Sequence, residues 1–518
     1  KKELPKRVPG DPCPLSFAQQ RLWFIAQLEP DNPTYNCMDA LRMTGKLNLP
    51  LLHQTFNEVV RRHEVLRTTF DLVGEEPVQI VSSKIKLNLS LIDLRALPES
   101  DREKQVSKLS SAELLRPFDL TRGPLLRVVV LRVSDNEHAI VFTTHHIISD
   151  GWSRDILVRE IIAIYLAFAE GGPSPLPELT YQYADFAIWQ RQRLTGPVLE
   201  GHLDYWKQHL SNAPHVLSLP TDRPRPAVPT RRGAYESIML SPELSQSLRA
   251  LGRRKGVTLF MTMLAAFDVL LSRYSGQSDF LIGTDIANRN SGTTESLIGF
   301  FVNQLVLRAD LTGDPTFDEL LARVKDTTLN GYAHQDAPFE KVVEMLNPER
   351  NLSHAPLFQV KLLLQNISTD NLELPELVIG GVEGDERATR CQHGRQDRGP
   401  QDRAEAAAAA LRAAHGAMGD GHRRHRGRRL VPAFRCRRAR LGGVAERRAL
   451  IEAAPDFSVA ERQRDERDRQ ADGKTAIHLP PFGIGCPNRR NAHPGLADRF
   501  QVANLQVHMQ VVDPREEC

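Results

Sequence analysis

Two adjacent histidines, His145 and His146, are the residues of this 518-residue chain whose type and setting best fit acid–base chemistry. Histidine is the side chain best suited to moving a proton near neutral pH. The pair ends an apolar strand pattern, where adjacent side chains point to opposite faces, so only one imidazole can face a given cavity. This geometry disfavours a two-histidine metal site, and no third ligand lies at a useful spacing. We therefore predict that no metal is bound.

Asp150 and Gly151 follow the histidines, just before an amphipathic helix predicted over residues 153–167. Two roles are open for Asp150: it fixes an imidazole as in a catalytic triad, or it pairs with an arginine that braces the loop. Gly151 permits a close backbone approach or an unusual φ. The helix N-terminus offers unpaired N–H groups and a positive dipole end, which suit a developing oxyanion.

A β-hairpin must position this loop, with predicted strands at residues 125–133 and 138–144 joined by a turn at 134–137. Its apolar strands are typical of strands buried on both faces. The glycine- and proline-rich residues 171–177 form the clearest linker and divide the chain into two parts. Other helices are predicted at residues 51–63, 100–115, 258–274 and 317–329, and other strands at 76–81, 87–91, 279–284, 301–308 and 357–364. These elements predict a mixed α/β fold.

The overall composition excludes several classes of protein. Hydrophobic residues make up 41% and charged residues 25% of the chain, which are ordinary globular values. No apolar run approaches the ~18 residues that a membrane-spanning helix requires, so we predict no membrane partner. The net charge of +3 gives no reason to expect a nucleic-acid partner. The 6 cysteines are scattered and form no disulfide scaffold. The N-terminal residues resemble no signal peptide and lack an initiator methionine, so we expect a cytoplasmic segment of a longer polypeptide.

Lysine and arginine usage changes abruptly near residue 387. Before this residue the chain has 13 Lys and 28 Arg, whereas 1 Lys and 25 Arg lie from there onward. Apolar periodicity fades in the same region, and no convincing strand is predicted there. Our hypothesis is that residues 383–518 form an anomalous Arg/Ala-rich segment, either written in a shifted reading frame or disordered. A basic linker or tail is the alternative.

The histidine segment resembles the HHxxxDG signature of the condensation domains of nonribosomal peptide synthetases, which belong to the chloramphenicol-acetyltransferase-like superfamily. Six further motifs stand in the order typical of that family, so the resemblance covers residues 12–365. The matching segments are residues 16–23, 62–70, 145–151, 183–191, 298–305, 334–340 and 350–360. In the last segment Asn351 stands where an acidic residue is more usual. Heterocyclising relatives carry aspartates where this chain keeps its two histidines.

The resemblance implies a mixed α/β fold of two chloramphenicol-acetyltransferase-like lobes that form a V around a central tunnel. We expect residues 1–172 to form the N-terminal lobe, which carries the signature loop, and residues 173–382 the C-terminal lobe. The implied reaction is amide formation between a carrier-bound acyl or peptidyl thioester donor and a carrier-bound aminoacyl acceptor. The phosphopantetheine arms belong to upstream and downstream peptidyl carrier domains, so no cofactor is expected on this domain. An adjacent adenylation domain is a further expected partner, and the domain is expected to be monomeric within the larger polypeptide.

The resemblance also implies a role for each residue of the signature loop. His146 is expected to face the tunnel and either to accept the proton of the acceptor amine or to orient that amine. His145 is expected to brace the loop. Asp150 is expected to form a structural salt bridge, with Arg67 as the first candidate partner and Arg62 as the second. The predicted catalytic set is His146, His145, Asp150 and Gly151, and the predicted tunnel residues are Asn303, Trp152 and Ser149.

Two other functions stay open at this point. An epimerisation-type relative shares the signature but differs in the flanking motifs. A non-catalytic module that only docks carrier domains would follow from an incomplete C-terminal lobe, because the family fold normally continues past residue 380 and nothing after Val382 matches it. The intact His146 and Gly151 favour the enzyme.

Overall fold

The computed structural model describes residues 4–8, 10–221, 240–348 and 355–364, and the backbone of three further strands at 372–374, 377–381 and 507–511. In the first half of the chain the elements are β1 (Cys13–Pro14), α1 (Phe17–Leu28), β2 (Asn36–Gly45), α2 (Leu49–Arg62), β3 (Thr68–Val73), β4 (Glu76–Val81), β5 (Leu89–Asp93), α3 (Glu99–Leu115), β6 (Leu126–Ser134), β7 (Glu137–His145), α4 (Gly151–Ala169), α5 (Tyr183–Arg193) and α6 (Gly196–His209). In the second half they are α7 (Pro242–Lys255), α8 (Leu259–Ser275), β8 (Asp279–Ile286), β9 (Asn303–Asp310), α9 (Phe317–Ala333), α10 (Phe339–Leu346), β10 (Val360–Leu364), β11 (Leu372–Leu374), β12 (Leu377–Gly381) and β13 (Val507–Val511). This mixture of helices and strands confirms the predicted α/β class.

A six-stranded sheet in the order β11-β12-β2-β7-β6-β5 holds the histidine pair at the end of its central hairpin. β5 runs parallel to β6, and the other neighbours are antiparallel. Ile140 and Phe142 of β7 pack on the side of α2 and α4. Ala139 and Val141 pack with α3, as the two-residue period of a strand requires. His145, the last residue of β7, is therefore fixed between two packed layers.

A second sheet, in the order β13-β10-β8-β9, is also covered by helices. Ile282 of β8 and Leu307 of β9 pack with α8 and α9. Their neighbours Leu281 and Val306 pack with α6 and α10. Strands buried in this way carry near-continuous apolar runs, which is why the sequence pattern reveals β8 and β9.

None of the described helices, taken singly, is long and apolar enough to cross a membrane. α7 and α8 reach that length and composition only as a pair, which bends by 105° between them. In α8, Met261, Leu264 and Phe267 pack in the core beside β8 and β9. A core position therefore accounts for the apolar sequence of α8.

Strand β13 lies in the region where the sequence predicts no strand, and that prediction is wrong for these residues. β13 pairs antiparallel with β10, with Val360 opposite Val511 and Leu364 opposite Val507. The apolar alternation is short, and the partner strand lies far back in the chain, so no local pattern marks it. The rest of residues 383–518, with the reading-frame hypothesis, lies outside the described residues.

Segments of the second half pack with the first sheet. Strand β12 pairs with β2, with Leu377 opposite Gly45. Residues 287–302, which connect β8 to β9, contribute Leu297 and Phe301 to the core cluster that also contains the apolar face of β7. The surroundings of the histidine pair are thus built from both halves of the chain.

Candidate active site

The histidine pair lies in a strand–turn–helix connection that is fixed at both ends. β7 ends at His145, a single 3₁₀ turn covers His146–Ile148, and α4 begins at Gly151. Asp150 is the N-cap of α4, and its Oδ1 accepts a hydrogen bond from the Ser153 N–H at 2.8 Å. A capping carboxylate satisfies an N–H group that the first helical turn leaves unpaired. The cap and the sheet together hold the loop in place.

The His145 imidazole is buried between Tyr35 and Phe118, with ring centroids 6.3 and 6.2 Å away. Its Nδ1 accepts a hydrogen bond from the Ile147 N–H at 3.1 Å. Burial, with a smaller contribution from the charges of His146 and Arg127, lowers the pKa of His145 to about 3. The ring is thus neutral at ordinary pH, and its hydrogen bond shapes the turn.

The His146 imidazole contacts a different ring. It is half-buried and lies edge-on to Phe300, with ring centroids 4.7 Å apart. Its Nδ1 is shielded from solvent and has no hydrogen-bond partner among the described residues. Burial lowers the pKa of His146, and the Asp150 carboxylate opposes part of that shift. Because a neutral imidazole is the form that accepts a proton, His146 is in the state that a general base requires.

The partner of Asp150 is Arg289, which lies in the 287–302 segment. Arg289 Nη2 is 3.1 Å from Asp150 Oδ1, and the two side chains are 2% and 0% exposed. Asp150 Oδ2 accepts a hydrogen bond from the Phe301 N–H at 3.0 Å. Arg289 also donates to the carbonyls of Thr294 and Leu297 at 2.5 and 2.6 Å. Additional hydrogen bonds of this kind are what offsets the desolvation of a buried ion pair.

Neither Arg67 nor Arg62 pairs with Asp150, so both predicted partners are wrong. Arg67 donates to Glu64 and to a backbone carbonyl at the end of β4. Arg62 ends α2 and pairs with Glu160 at 3.1 Å. At 1.5 Å per residue, Glu160 lies about 15 Å further along α4 than Asp150. Arg62 therefore meets α4 too far from the signature loop to reach Asp150. Arg67 lies in the turn that follows α2, where it pairs with Glu64.

Sequence reasoning missed Arg289. It follows β8 in a loop without periodicity, and 139 residues separate it from Asp150. An ion pair over that separation leaves no local pattern. One sequence feature could have indicated Arg289 as a buried ion-pair partner: it is the one arginine in the connection between the buried strands β8 and β9.

Three hydrogen bonds hold the 287–302 segment against α4 and α5. The Ser153 hydroxyl donates to the Gly299 carbonyl at 2.8 Å and accepts from the Gly299 N–H at 3.0 Å. The Tyr183 hydroxyl donates to the Phe300 carbonyl at 2.6 Å. Glycine is required at 299, because a Cβ there would lie 1.9 Å from the Tyr183 ring. These contacts fix Phe300 against His146.

A second arginine near His146 comes from the first motif and is also absent from the predicted site. Arg21 of α1 donates to Gln304 Oε1 at 3.1 Å, and its Nε lies 3.3 Å from Glu340 Oε1. Both partners belong to the second half of the chain. The Arg21 charge adds to the effect of burial in lowering the pKa of His146. Beside it, Gln19 donates to a carbonyl of the 3₁₀ turn at 3.2 Å, so this motif contacts the loop directly.

The sequence of the chain matches the model of one protein family. The sequence model of that family, the condensation domain, matches residues 11–385, which is more than half of the chain. The chain belongs to the condensation-domain family of nonribosomal peptide synthetases. The family predicted from the seven motifs is thereby confirmed.

Relatives of this condensation domain include large peptide synthetases. It is 50% identical over 380 residues to a linear gramicidin synthase protein of Brevibacillus parabrevis, a match that covers 73% of this chain and 7% of that protein. For the malpibaldin synthetase of Mortierella alpina the identity is 44% over 377 residues, covering 73% of this chain and 7% of that protein. The chain thus spans less than a tenth of the length of these curated relatives.

A solved structure supports the fold of the condensation domain. The complex of the X-domain and OxyB from teicoplanin biosynthesis contains a chain that matches with a TM-score of 0.66 at 24% identity. The match covers 81% of this chain and 96% of that chain. At this identity the likeness shows the shared fold alone.

The predicted tunnel residues of the condensation domain have different surroundings. Asn303 donates to the carbonyls of residues 335 and 337 at 2.9 and 2.7 Å, and its Oδ1 accepts from the Phe339 N–H at 3.1 Å. Its amide therefore braces the loop before α10. Ser149 is buried, and Trp152 is 44% exposed and donates from Nε1 to the Glu295 carbonyl at 3.0 Å. That these three side chains line a tunnel stays a prediction.

Two further features bear on what the condensation domain could bind. In the part of the chain that the structure describes, no group of three or more His, Cys, Asp or Glu residues could hold a metal ion. Gly151 is exposed, and a Cβ added to it would meet no described atom within 4 Å. The backbone beside the histidine loop is therefore open to a ligand.

Proposed function

We propose that this condensation domain forms an amide bond between two substrates held on separate carrier domains. The donor is an acyl or peptidyl thioester, and the acceptor is an aminoacyl thioester. The observation that carries the proposal is the placement of His146, whose ring is neutral, half-buried and packed against Phe300 where the two halves of the chain meet. Amide formation from a thioester and an amine needs a group that takes a proton from the amine, and His146 is suited to that task.

In the proposed reaction the acceptor nitrogen attacks the donor carbonyl, so that a C–N bond forms and the C–S bond then breaks. His146 accepts the proton that the nitrogen loses, and the departing thiolate takes up a proton to become the free donor thiol. General base catalysis of this kind contributes about 10²–10⁴-fold. The positive end of α4, at Gly151, favours the negative charge that develops on the carbonyl oxygen. Orientation of the amine by a hydrogen bond is the alternative role of His146.

The partners of the proposed reaction follow from its substrates. The phosphopantetheine arms belong to upstream and downstream peptidyl carrier domains, and an adenylation domain of the same synthetase activates the acceptor. Holding both thioesters in one site converts a bimolecular encounter into an effectively unimolecular one. Support comes from the size of the curated relatives, since the matched region is 7% of the length of each. We infer a monomeric domain within a larger cytoplasmic polypeptide.

Two loaded carrier domains test the proposal. One carries an acylated aminoacyl donor and the other an aminoacyl acceptor, and mass spectrometry of the intact proteins follows the transfer. We expect the acceptor carrier to gain the donor acyl group and the donor carrier to keep a free thiol, only when the condensation domain and both loaded carriers are present. Carrier binding without accelerated transfer would identify a docking module. Inversion at Cα of a single carrier-bound residue leaves the mass unchanged, so it is detected by chiral analysis of the released residue, and it would identify an epimerisation-type relative.

A further inference from the structure

His63 of the second motif links α4 to the 287–302 segment. It follows α2, its side chain is 2% exposed, and its Nε2 lies 2.9 Å from Glu160 Oε2 of α4. Its Nδ1 accepts a hydrogen bond from the Ile298 N–H at 3.4 Å. Because a backbone N–H can only donate, Nδ1 carries no proton, and the proton on Nε2 is donated to Glu160. The imidazole is therefore held in one neutral tautomer.

Glu160 determines which nitrogen of His63 carries the proton. Arg62 pairs with the same carboxylate, with its Nε 3.1 Å from Glu160 Oε2. Burial alone would raise the pKa of Glu160, but the hydrogen bonds from His63 and Arg62 lower it below its ordinary value of 4.5. An ionised carboxylate can only accept a hydrogen bond. It therefore keeps the His63 proton on Nε2 and leaves Nδ1 available to accept from Ile298.

The bond to His63 is the first of a series that holds the backbone of residues 298–301. The other bonds also go to side chains of the first half of the chain, namely Ser153 for both backbone groups of Gly299, Tyr183 for the Phe300 carbonyl and Asp150 for the Phe301 N–H. Phe300, within this stretch, packs edge-on against His146 with ring centroids 4.7 Å apart. These four side chains thus hold Phe300 in place beside His146.

We propose that His63 is a positioning residue, which holds Ile298 so that Phe300 stays against the His146 ring. His146 Nδ1 makes no hydrogen bond with the described residues, so contact with Phe300 contributes to the orientation of the imidazole. A shift of the backbone at Ile298 would move Phe300, two residues further on, and let the imidazole turn. Misplacement by about 1 Å can cost on the order of 10²-fold in rate. The inference rests on the proposed function and adds to it a residue that acts through Phe300.

Two substitutions separate the roles of the two ring nitrogens of His63. In His63→Asn the amide oxygen takes the place of Nδ1 and can still accept from the Ile298 N–H, whereas the bond to Glu160 is lost. In His63→Gln the longer amide can still donate to Glu160, whereas the Ile298 N–H loses its acceptor. Both variants lose the packing of the imidazole, so we expect both to melt below the wild-type protein.

The kinetic test is kcat of amide formation with both carriers loaded. We expect kcat to fall by about ten- to hundred-fold in His63→Gln and to change little in His63→Asn, with KM for each loaded carrier unchanged in both. His53→Gln is the matched control, because His53 lies on α2 and its Nε2 is 2.9 Å from the Leu87 carbonyl. It should keep the wild-type kcat. Equal losses of kcat in both His63 variants would overturn the inference, because a merely structural histidine would affect them alike.

Nuclear magnetic resonance of ¹³C-labelled histidine tests the inference without turnover. The His146 signal is identified by its absence from His146→Gln, and its position depends on the ring current of Phe300. We expect this signal to move in His63→Gln and to stay in His63→Asn and His53→Gln. An unmoved signal in folded His63→Gln would overturn the inference. A moved signal in a domain whose wild-type form makes no amide would support the positioning by His63 and reject the proposed function.

The wild-type protein provides a second measurement if His63→Gln does not fold. In ¹⁵N-labelled histidine, the chemical shifts of the two ring nitrogens show which one carries the proton. The His63 signals are identified by their absence from His63→Asn. We expect the proton on Nε2, where it is donated to Glu160. A proton on Nδ1 would overturn the inference, because that nitrogen could not then accept from Ile298.

Discussion

Asp268 of α8 is a buried carboxyl group that the proposed reaction does not use. Its side chain is 1% exposed, and its Oδ1 makes no hydrogen bond with the described residues. Leu264, Ile282 and Leu307 line the same small cavity. Burial raises the pKa of Asp268 well above its ordinary value of 3.8, because the charged form loses its hydration without gaining a partner. Burial therefore favours the neutral form of Asp268 in the folded domain.

The raised pKa of Asp268 predicts a contribution to stability that is lost as the pH rises. Above pH 3.8 the unfolded chain ionises at this residue while the folded chain stays protonated. The folded state then binds more protons, so the free energy of unfolding falls by at most about 1.4 kcal/mol per pH unit until the pH passes the folded pKa. Asp268→Asn removes this ionisation, and its stability relative to the wild-type protein should rise as the pH increases above 3.8. Urea denaturation at a series of pH values above 3.8 measures the difference.

The exposed Asp204 of α6 provides the control for this pH dependence. Asp204→Asn makes the same substitution at an exposed position, so the pH dependence of Asp268→Asn should be the steeper of the two. Equal slopes for the two variants would contradict a carboxyl of Asp268 whose neutral form burial favours in the folded state.

At the scale of residues, the sequence predicts that the two histidines have different surroundings, but it does not predict that Arg289 pairs with Asp150. Strand alternation predicts that the two rings have different surroundings. In the structure His145 ends β7 and lies beside Phe118, whereas His146 begins the 3₁₀ turn and lies beside Phe300. Arg289, the partner of Asp150, lies in a loop 139 residues further along the chain. The apolar pattern over residues 258–274 predicts a helix around Asp268, but no pattern shows that its carboxyl lacks a partner.

At the scale of elements, the ion pair of Asp150 and Arg289 joins the start of α4 to the 287–302 segment. Asp150→Ala would leave a buried guanidinium without its counter-charge, and breaking a buried pair in this way costs about 3–5 kcal/mol. The two residues should also be coupled. In a double-mutant cycle of Asp150→Ala and Arg289→Ala, we expect an interaction free energy of about 0.5–3 kcal/mol, measured by urea denaturation.

Arg67 is the control for this cycle, because the motif pattern favours it as the partner of Asp150. Its guanidinium lies 3.2 Å from Glu64, so Asp150→Ala and Arg67→Ala should be additive within about 0.3–0.5 kcal/mol. Coupling of Asp150 to Arg67 with none to Arg289 would refute the pairing seen in the structure. Asp150→Asn with Arg289→Lys repeats the cycle with milder changes if the alanine variants do not fold.

Elements with a local pattern agree closely with their predictions, whereas elements that depend on distant partners do not. The strand predicted at residues 125–133 corresponds to β6 (Leu126–Ser134), and the helix predicted at 153–167 lies within α4 (Gly151–Ala169). Both β6 and α4 are long enough for the period of their apolar residues to be recognised in the sequence. Strand β13 has five residues, and only its pairing with β10 defines it. A short strand of this kind has no periodic signal of its own.

At the scale of the whole domain, the residues around His146 come from distant parts of the chain. α1 contributes Arg21, which contacts Glu340 of α10. The 287–302 segment contributes Arg289 and Phe300. The motifs include Arg21, Phe300 and Glu340 but not Arg289. Sequence alone does not show which side chains meet, because a contact between distant segments leaves no periodic trace. The site therefore depends on the folding of both halves.

The most decisive experiment is the single-turnover rate of amide formation by His146→Ala with both carriers loaded. We predict a fall of about 10²–10⁴-fold at an unchanged melting temperature, because the half-buried ring has no hydrogen-bond partner at Nδ1 among the described residues. His146→Gln keeps a hydrogen-bonding group but cannot accept the proton. If the rate of His146→Gln falls as far as that of His146→Ala, His146 acts as a general base. If it falls less, His146 orients the amine. An undiminished rate in His146→Ala would contradict the role of this histidine in the reaction.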